Sequence, residues 1–392
     1  PIPSGTHSAT PAATAAARFH TRIVILATLL LAVSAPSLGR YSAPGTRRTA
    51  DLAPAQTAQP TNTPQLPGSR VVGALRVSFL GPFGTFCEQA ARQMLAEFAG
   101  EAADSVQLLP ATGVENALRM VRTGQADRAV VPIENSVEGG VNATLDTLAH
   151  GQPLTIVAET QVPIDFTLIC RPDADLELSE LRRIGTHPHA WAQPREWIAQ
   201  NVGDQVMHIP TTSTAGAAKL LLEDPESGYD AALCSAVSAQ TYAGKVLASG
   251  IADNSEAKTR FVLVSPPGSI PAPTGADKTT VQVTLPGNEA GALLNMLEQF
   301  SARGVNLSRI ESRPVGGHFD RYAFSIDLEG HLEEERVKAA LVGLHRTCAD
   351  VRFLGSNPRA DRARTKIQRG TANLDFATAR AWLDEVRAGR AV

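Results

Sequence analysis

A hydroxyl and a guanidinium stand side by side in Thr259-Arg260-Phe261, at the mouth of an apolar run that continues to Ser265. A second polar cluster, Glu134-Asn135-Ser136, opens the segment 134–140, again just after an apolar run. Further hydroxyls and amides gather at residues 81–85, 186–189 and 211–214. These turns are chemically alike. Each offers hydroxyls, amides or free backbone N–H groups at the start of a helical stretch, which is what an anion, especially a carboxylate, needs. The chemistry on offer is recognition of a small polyanion, and spacing alone leaves open whether it is bound or transformed. Phosphate and nicotinamide fit poorly: no GxxxxGK[ST] occurs, and Gly81-Pro82-Phe83-Gly84 lacks the third glycine of a dinucleotide fingerprint. His187-Pro188-His189 suggests a metal pair but has no Asp, Glu or Cys partner motif, so no metal is expected.

Turns of this kind are positioned by open α/β sheets, whose ligands lie beyond the carboxyl ends of the strands. Residues 75–80 read as a strand and 81–84 as a tight turn. Thr85-Phe86-Cys87-Glu88 is a capping-box pattern opening a helix to about Phe98. A second box, Thr112-Gly113-Val114-Glu115, opens a helix to about Arg122, and residues 127–133 form the strand that empties into 134–140. Residues 154–171 hold two strand-like runs around Pro163, 183–188 is a strand leaving into a loop, and 190–200 a helix. Residues 206–209 run into the N-cap cluster Thr211-Thr212-Ser213-Thr214, ahead of an Ala-rich helix through Leu222. Residues 229–233 and the Thr259 run supply further strands. The alternation predicts largely parallel sheets in two α/β lobes, split near 153 and 245, in the manner of a periplasmic binding protein, with the polar turns facing an interlobe cleft.

Composition changes after Ser265 to a Pro- and Gly-rich linker over 266–277. Residues 278–356 then read as strand (279–285), helix (290–303, stopped by Gly304), a strand pair (306–315 and 321–328, joined at Gly316-Gly317), helix (333–346) and strand (351–354). This βαββαβ order predicts a ferredoxin-like α+β domain. Residues 357–392 are a tail with a short helix.

A chain of 392 residues suits two or three such units. Lys+Arg at 36 against Asp+Glu at 39, with no basic block longer than a pair, argues against a nucleic-acid partner. The four cysteines, Cys87, Cys170, Cys234 and Cys348, form no CxxC pair, so reduced thiols in a cytoplasmic protein are expected. Residues 1–73 differ from the rest, being dominated by Ala, Thr, Pro and Ser. Within them, the apolar run 23–32 follows Arg18 and Arg22 and precedes Val33-Ser34-Ala35, the order of a signal peptide, and is too short for a comfortable membrane span. The chain begins with Pro1 rather than Met and its later domains have the look of cytosolic metabolism. The expectation is therefore a disordered or spurious leader and no membrane partner, with a targeting segment as the alternative.

Gly81-Pro82-Phe83-Gly84-Thr85-Phe86, Pro132-Ile133-Glu134-Asn135-Ser136-Val137-Glu138-Gly139, Thr259-Arg260-Phe261, Gly291-Ala292-Leu293-Leu294 and Glu311-Ser312-Arg313-Pro314 occur in that order. Together they resemble prephenate dehydratases with a C-terminal ACT regulatory domain, over about residues 75–356. The resemblance is to monofunctional members, since residues 1–70 lack the period of a helical chorismate mutase segment. It implies a carbon–oxygen lyase that converts prephenate to phenylpyruvate in L-phenylalanine biosynthesis, with no metal or organic cofactor. It implies Thr259 as hydrogen-bond donor to the departing hydroxyl and Arg260 as bidentate partner of a substrate carboxylate. Asn135 and Ser136 would be further polar contacts, and Glu134 would orient them or hold an ordered water. Thr85, Phe261, Thr212, Thr214 and His189 would line the substrate. Gly291, Ala292, Leu293 and Leu294, with Glu311, Ser312, Arg313 and Pro314 on the facing loop, would bind L-phenylalanine as allosteric effector between subunits of a homodimer or homotetramer. Deleting residues 277–392 would then remove feedback and keep catalysis. The chain departs from the family pattern at Phe83, where an acid is usual, at Cys87, where Ser or Thr is, and at His189, where a small residue or Gln is common. Alternatives are an arogenate dehydratase, a prephenate decarboxylase that does not aromatise its product, and an exported two-lobed solute-binding protein. The intact Thr259 argues against the decarboxylase.

Overall fold

The computed structural model describes residues 74–98, 106–315 and 318–390. The signal-like run 23–32 and the Gly316-Gly317 junction lie outside them. Among the described residues no helix is long and apolar enough to cross a membrane.

In chain order come β1 (Leu75–Leu80), α1 (Phe86–Phe98), β2 (Val106–Ala111), α2 (Val114–Arg122), β3 (Arg128–Asn135), β4 (Gly139–Gly140), α3 (Asn142–Ala149) and β5 (Thr155–Pro163). Helix α1 buries Cys87, Ala90, Ala91, Met94 and Leu95, and α2 buries Val114, Ala117, Leu118 and Val121. Both sets follow the three- and four-residue spacing that places side chains on one face of a helix. The box expected at Thr112 takes another form. Gly113 is the N-cap without a side-chain bond, and Thr112 Oγ1 accepts from Asn116 Nδ2 at 3.0 Å.

The chain next builds β6 (Thr167–Cys170), β7 (Arg183–Thr186), α4 (Pro188–Trp191), α5 (Arg195–Asn201), β8 (Met207–Pro210), α6 (Thr214–Glu223), β9 (Ala231–Cys234), α7 (Ala236–Thr241) and β10 (Lys245–Ser249), then returns as β11 (Lys258–Ser265). The first sheet has the order β2-β1-β3-β11-β5, with β4 beside β3, and the second β10-β6-β9-β7-β8. Both sheets are mixed rather than largely parallel. β1 runs parallel to β2 and β3, but β11 is antiparallel to β3 and β5, as β6 is to β9 and β10. The reason for β11 is its route: it comes back from the second sheet through an extended crossing, not over a helix as a parallel neighbour requires.

That crossing also moves the expected splits at 153 and 245. β5 pairs with β11 along its length, and Ile164 N–H donates to Ala257 O at 2.8 Å, so the chain leaves the first sheet only after Pro163. β10 pairs with β6 and so belongs to the second sheet. The single helix expected over 190–200 is two, because Pro194 interrupts it as the N-cap of α5.

Beyond the linker follow β12 (Asp277–Thr284), α8 (Ala292–Ser301), β13 (Leu307–Val315), β14 (His318–Glu329), α9 (Glu335–Thr347), β15 (Asp350–Pro358) and α10 (Asn373–Arg387). The third sheet, β13-β14-β12-β15, is antiparallel throughout, and the βαββαβ order is the expected one. Its own core holds Val281, Val283, Met296, Phe300, Ile326 and Leu344. Leu354 of β15 is different: it is buried in the first sheet's core with Ile156, Val262 and Val264. Every residue of β11 after Lys258 is buried. Phe261 and Leu263 pack with Ala91 and Met94 of α1, while Val262 and Val264 pack on the Leu354 side, the two-residue alternation of a strand covered on both faces.

Candidate active site

A cavity of about 830 Å3 opens between the turns of the first and second sheets. Thr259, second residue of β11, and Asn135, last of β3, are directly opposite in register, and both line the cavity. Asn135 Nδ2 donates to Thr259 Oγ1 at 2.9 Å. The amide is held at its other end, where Oδ1 accepts from the backbone N–H of Val137 at 2.8 Å and of Glu138 at 3.2 Å. With one hydrogen bond already accepted by Oγ1, the Thr259 hydroxyl hydrogen is left to donate into the cavity.

Phe261 also lines the cavity, two residues on. Arg260, between them, points the other way. Its Nη1 lies 2.9 Å from Glu134 Oε2 and 2.6 Å from Asp327 Oδ2. Its Nε lies 2.8 Å from Glu159 Oε2, a close ion pair without hydrogen-bond alignment. Burial works against the guanidinium's charge, but Asp327 and Glu159 outweigh it and raise its pKa above the ordinary value. The expected grip of Arg260 on a substrate carboxylate is thus not the observed geometry, because its face of the strand is covered by the third sheet. Glu134 turns with it. Ser136 is engaged with Lys258: its Oγ accepts from Lys258 N–H at 3.0 Å and its N–H donates to Lys258 O at 2.9 Å. Neither Glu134 nor Ser136 is among the described lining residues.

Thr85 lines the opposite wall and caps α1, its Oγ1 accepting from Glu88 N–H at 3.3 Å. The Glu88 carboxylate closes the box one residue early, on Gly84 N–H. Gly84 has φ +90°, and a Cβ there would stand 2.9 Å from Ser238 Oγ. The missing side chain lets the hydroxyls of Ser235 and Ser238 donate to Gly84 O at 2.7 and 2.6 Å, fixing this turn to α7 of the second sheet. Phe83 is not at the cavity. It is 38% exposed and meets Phe79 edge-on, ring centroids 5.4 Å apart. At α6 the cap is Ser213, whose Oγ accepts from Gly216 N–H at 2.9 Å, and Thr212 and Thr214 flank it on the lining. Thr112 joins them before α2. Among the described lining residues there is no Arg or Lys. The groups the lining would offer an anion are hydroxyls, imidazoles and the N-terminal ends of α1, α2 and α6.

His189 Nδ1 lies 2.9 Å from Glu138 Oε2, so α4 of the second sheet meets the turn after β3. Both residues line the cavity with His187. Burial, then the neighbouring His189, lowers the His187 pKa below its ordinary value, keeping that imidazole neutral at neutral pH. The His189–Glu138 pair is half-exposed, at 66% and 48%, and such pairs contribute about 0–1 kcal/mol. His189→Ala should accordingly raise KM by no more than about fivefold, with kcat near wild type in steady-state kinetics.

Cys87 faces the cavity as well, but its thiol donates to Val130 O at 3.1 Å and burial pushes its pKa up to about 12. A thiol of this kind is inert. Iodoacetamide at neutral pH should leave activity intact, and rapid substrate-protected inactivation would contradict this placement. Glu138, His187, Gln193, Thr112, Ser213, Phe86 and Phe166 complete much of the lining without having been singled out as substrate contacts. Glu138 was legible inside the 134–140 segment. Phe166, which meets Phe86 edge-on at 5.9 Å, is placed only by the path of the crossing chain.

At the third sheet, Gly291 is the N-cap of α8 with φ +89°. Ala292, Leu293 and Leu294 form the helix's first turn, with Leu293 and Leu294 exposed. Glu311, Ser312, Arg313 and Pro314 lie on β13, an edge of the sheet. Glu311 packs against Gly140 and Arg313 Nη2 donates to Asn142 Oδ1, so β13 touches the segment that follows Asn135.

Residues 77–269 match the family described as Prephenate dehydratase. The prephenate dehydratase of Amycolatopsis methanolica is 43% identical over 316 residues, which cover 80% of this chain and 98% of that protein. That of Mycolicibacterium smegmatis is 41% identical over 318 residues, covering 80% and 98%. Among solved structures, the prephenate dehydratase of Arthrobacter aurescens in complex with L-Phe superposes with a TM-score of 0.74 at 50% identity, covering 80% of this chain and all of that one. GqqA, described as a novel type of quorum quenching acylase, superposes with a TM-score of 0.62 at 30% identity, covering 72% and 97%. With identity of this order along almost the whole of its curated relatives, the chain belongs to the prephenate dehydratase family.

Proposed function

We infer that this chain catalyses the decarboxylating dehydration of prephenate to phenylpyruvate, and that L-phenylalanine feeds back on it through the third sheet. The single observation that carries the catalytic reading is the Asn135–Thr259 bond, which leaves a buried hydroxyl free to donate at the cavity wall. In the reaction, the bond from the ring to its carboxylate breaks and carbon dioxide leaves. The electron pair enters the ring, and the ring C–O bond breaks on the far side. Aromatisation supplies much of the driving force, so the protein's task is to hold two carboxylates and stabilise the departing hydroxide. Thr259 does this as a transition-state hydrogen-bond donor, since a threonine hydroxyl is a poor acid. Thr112, Thr212, Thr214 and the helix N-termini take the carboxylates, Thr85 shapes the wall with its hydroxyl donated to backbone carbonyls, and Phe86, Phe166 and Phe261 pack the developing aromatic ring.

The first and second sheets, residues 74–265, are read as the two lobes of a periplasmic-binding-protein-like catalytic unit, and the third as a ferredoxin-like ACT domain. Phenylalanine would sit between subunits of a homo-oligomer, with residues 291–294 on one side and 311–314 on the other. Reduced buried thiols at Cys87, Cys170 and Cys234 suit a cytoplasmic enzyme. An acylase activity of the kind described for GqqA is not favoured. Thr259 Oγ1 accepts from an amide instead of giving its proton to a base, and the Cys87 thiol stays protonated, so neither is an activated nucleophile.

Purified protein supplied with prephenate, and in parallel with arogenate, tests this by following phenylpyruvate and phenylalanine formation with and without added phenylalanine. Absence of phenylpyruvate would overturn the catalytic reading. Turnover unaffected by phenylalanine would overturn the regulatory one.

A further inference from the structure

The chemistry above leaves a group of buried charges between the first and third sheets without a role. Arg260 meets Glu134, Asp327 and Glu159 there. Arg309 donates to both oxygens of Asp327 at 3.1 Å, and Thr280 Oγ1 donates to Asp327 Oδ1 at 2.8 Å. Lys278 Nζ lies 3.3 Å from Glu159. Arg260, Glu159, Asp327, Arg309 and Lys278 are each less than a tenth exposed. A buried set of this kind adds little net stability over an apolar contact, and what it fixes is geometry.

We propose that Arg260 is a positioning residue that couples the third sheet to the Asn135–Thr259 pair. This rests on the reading that the third sheet responds to phenylalanine. Arg260 follows Thr259 directly, and its partner Glu134 directly precedes Asn135. One guanidinium therefore holds the backbone at both ends of the 2.9 Å hydrogen bond that orients the Thr259 hydroxyl. On its other side Arg260 shares Asp327 of β14 with Arg309 of β13. The same β13 carries Glu311, whose carboxylate occupies the space a Cβ on Gly140 would need, and Arg313, which bonds Asn142. A shift of β13 and β14 is thus felt at both ends of the segment 134–142 that presents Asn135. The guanidinium keeps its charge at every working pH, so the link is not pH-gated. An effector acts through it by favouring one arrangement of the third sheet over another.

The test compares full-length wild type with Arg260→Lys, Asp327→Asn and Thr280→Val, measuring kcat, KM for prephenate, inhibition at saturating phenylalanine, and phenylalanine binding by calorimetry. Positioning predicts that Arg260→Lys lowers kcat about tenfold with KM within about threefold of wild type. A substrate clamp would do the reverse. Asp327→Asn should still bind phenylalanine, yet its residual activity under saturating effector should rise by about tenfold relative to its own uninhibited rate. Thr280→Val leaves no charge unpaired and so folds. It should move in the same direction by about threefold, and decides the question if Asp327→Asn does not fold. Full inhibition retained in Thr280→Val and Asp327→Asn, or a raised KM with unchanged kcat in Arg260→Lys, overturns the proposal. Wild type that binds no phenylalanine overturns the regulatory reading instead, and the split between kcat and KM in Arg260→Lys still decides whether that residue positions.

Discussion

Thr259→Ala is expected to lower kcat by about 10²–10³-fold, equivalent to about 2.7–4 kcal/mol of transition-state stabilisation, and to leave KM for prephenate within a few-fold of wild type. The reason is the timing of the interaction. The ground-state ring hydroxyl is neutral and needs little from the donor, whereas the departing oxygen gains negative charge as the C–O bond stretches. Thr259 is 7% exposed, so no bulk water stands ready to replace its hydroxyl. The geometry also makes a sharper forecast for its neighbour. Asn135→Asp would present a carboxylate that can only accept, so the Thr259 hydrogen would turn toward it and away from the cavity. That variant should be as damaging as Thr259→Ala despite keeping size and polarity, and Thr259→Ser should keep most activity. Steady-state formation of phenylpyruvate measures all of these, and an active Asn135→Asp enzyme would remove the orientation assigned here.

Asp327→Ala is expected to cost about 3–5 kcal/mol of stability in denaturant unfolding, because it leaves two buried guanidiniums, Arg260 and Arg309, without the carboxylate they share. Burial alone would raise the Asp327 carboxyl, but Arg260 and Arg309 overcome it and hold its pKa well below the usual carboxylate range. A carboxyl whose folded pKa is depressed contributes stability that is fully present above its unfolded value of 3.8 and is lost only as pH falls toward the folded one. The cost of Asp327→Ala should therefore be constant across the neutral range and shrink only in strong acid. The same contacts change what removing residues 277–392 should do. Truncation would uncover Ile156, Val262 and Val264 by taking away Leu354, and would strand Arg260 and Glu159 at a new surface. A destabilised, poorly active fragment is expected, in place of the uncoupled enzyme that separable domains would give. Wild-type turnover by residues 74–276 would contradict it.

Much of this site was legible before folding was considered. Part of each polar segment does meet at one cavity, Thr85 from 81–85, Asn135 and Glu138 from 134–140 and Thr212 to Thr214 from 211–214, and Thr259 and Phe261 are on its wall. Adjacency misled for Arg260. Neighbours in a strand face opposite sides, so a threonine and an arginine in sequence contact cannot both reach the same ligand. Ser136 and Glu134 misled for related reasons, one engaging the backbone of Lys258 and the other following Arg260.

The sequence by itself determined many of the element types, the βαββαβ order of the third unit and which turns carry the polar groups, because propensity, capping and periodicity act over a few residues. The tertiary structure decided which face of β11 each residue occupies, that β11 enters the first sheet antiparallel, that His189 finds Glu138, and that Arg260 belongs to the contact with the third sheet. Those outcomes depend on pairings between residues far apart in the chain, such as Arg260 with Asp327, and no local pattern encodes them.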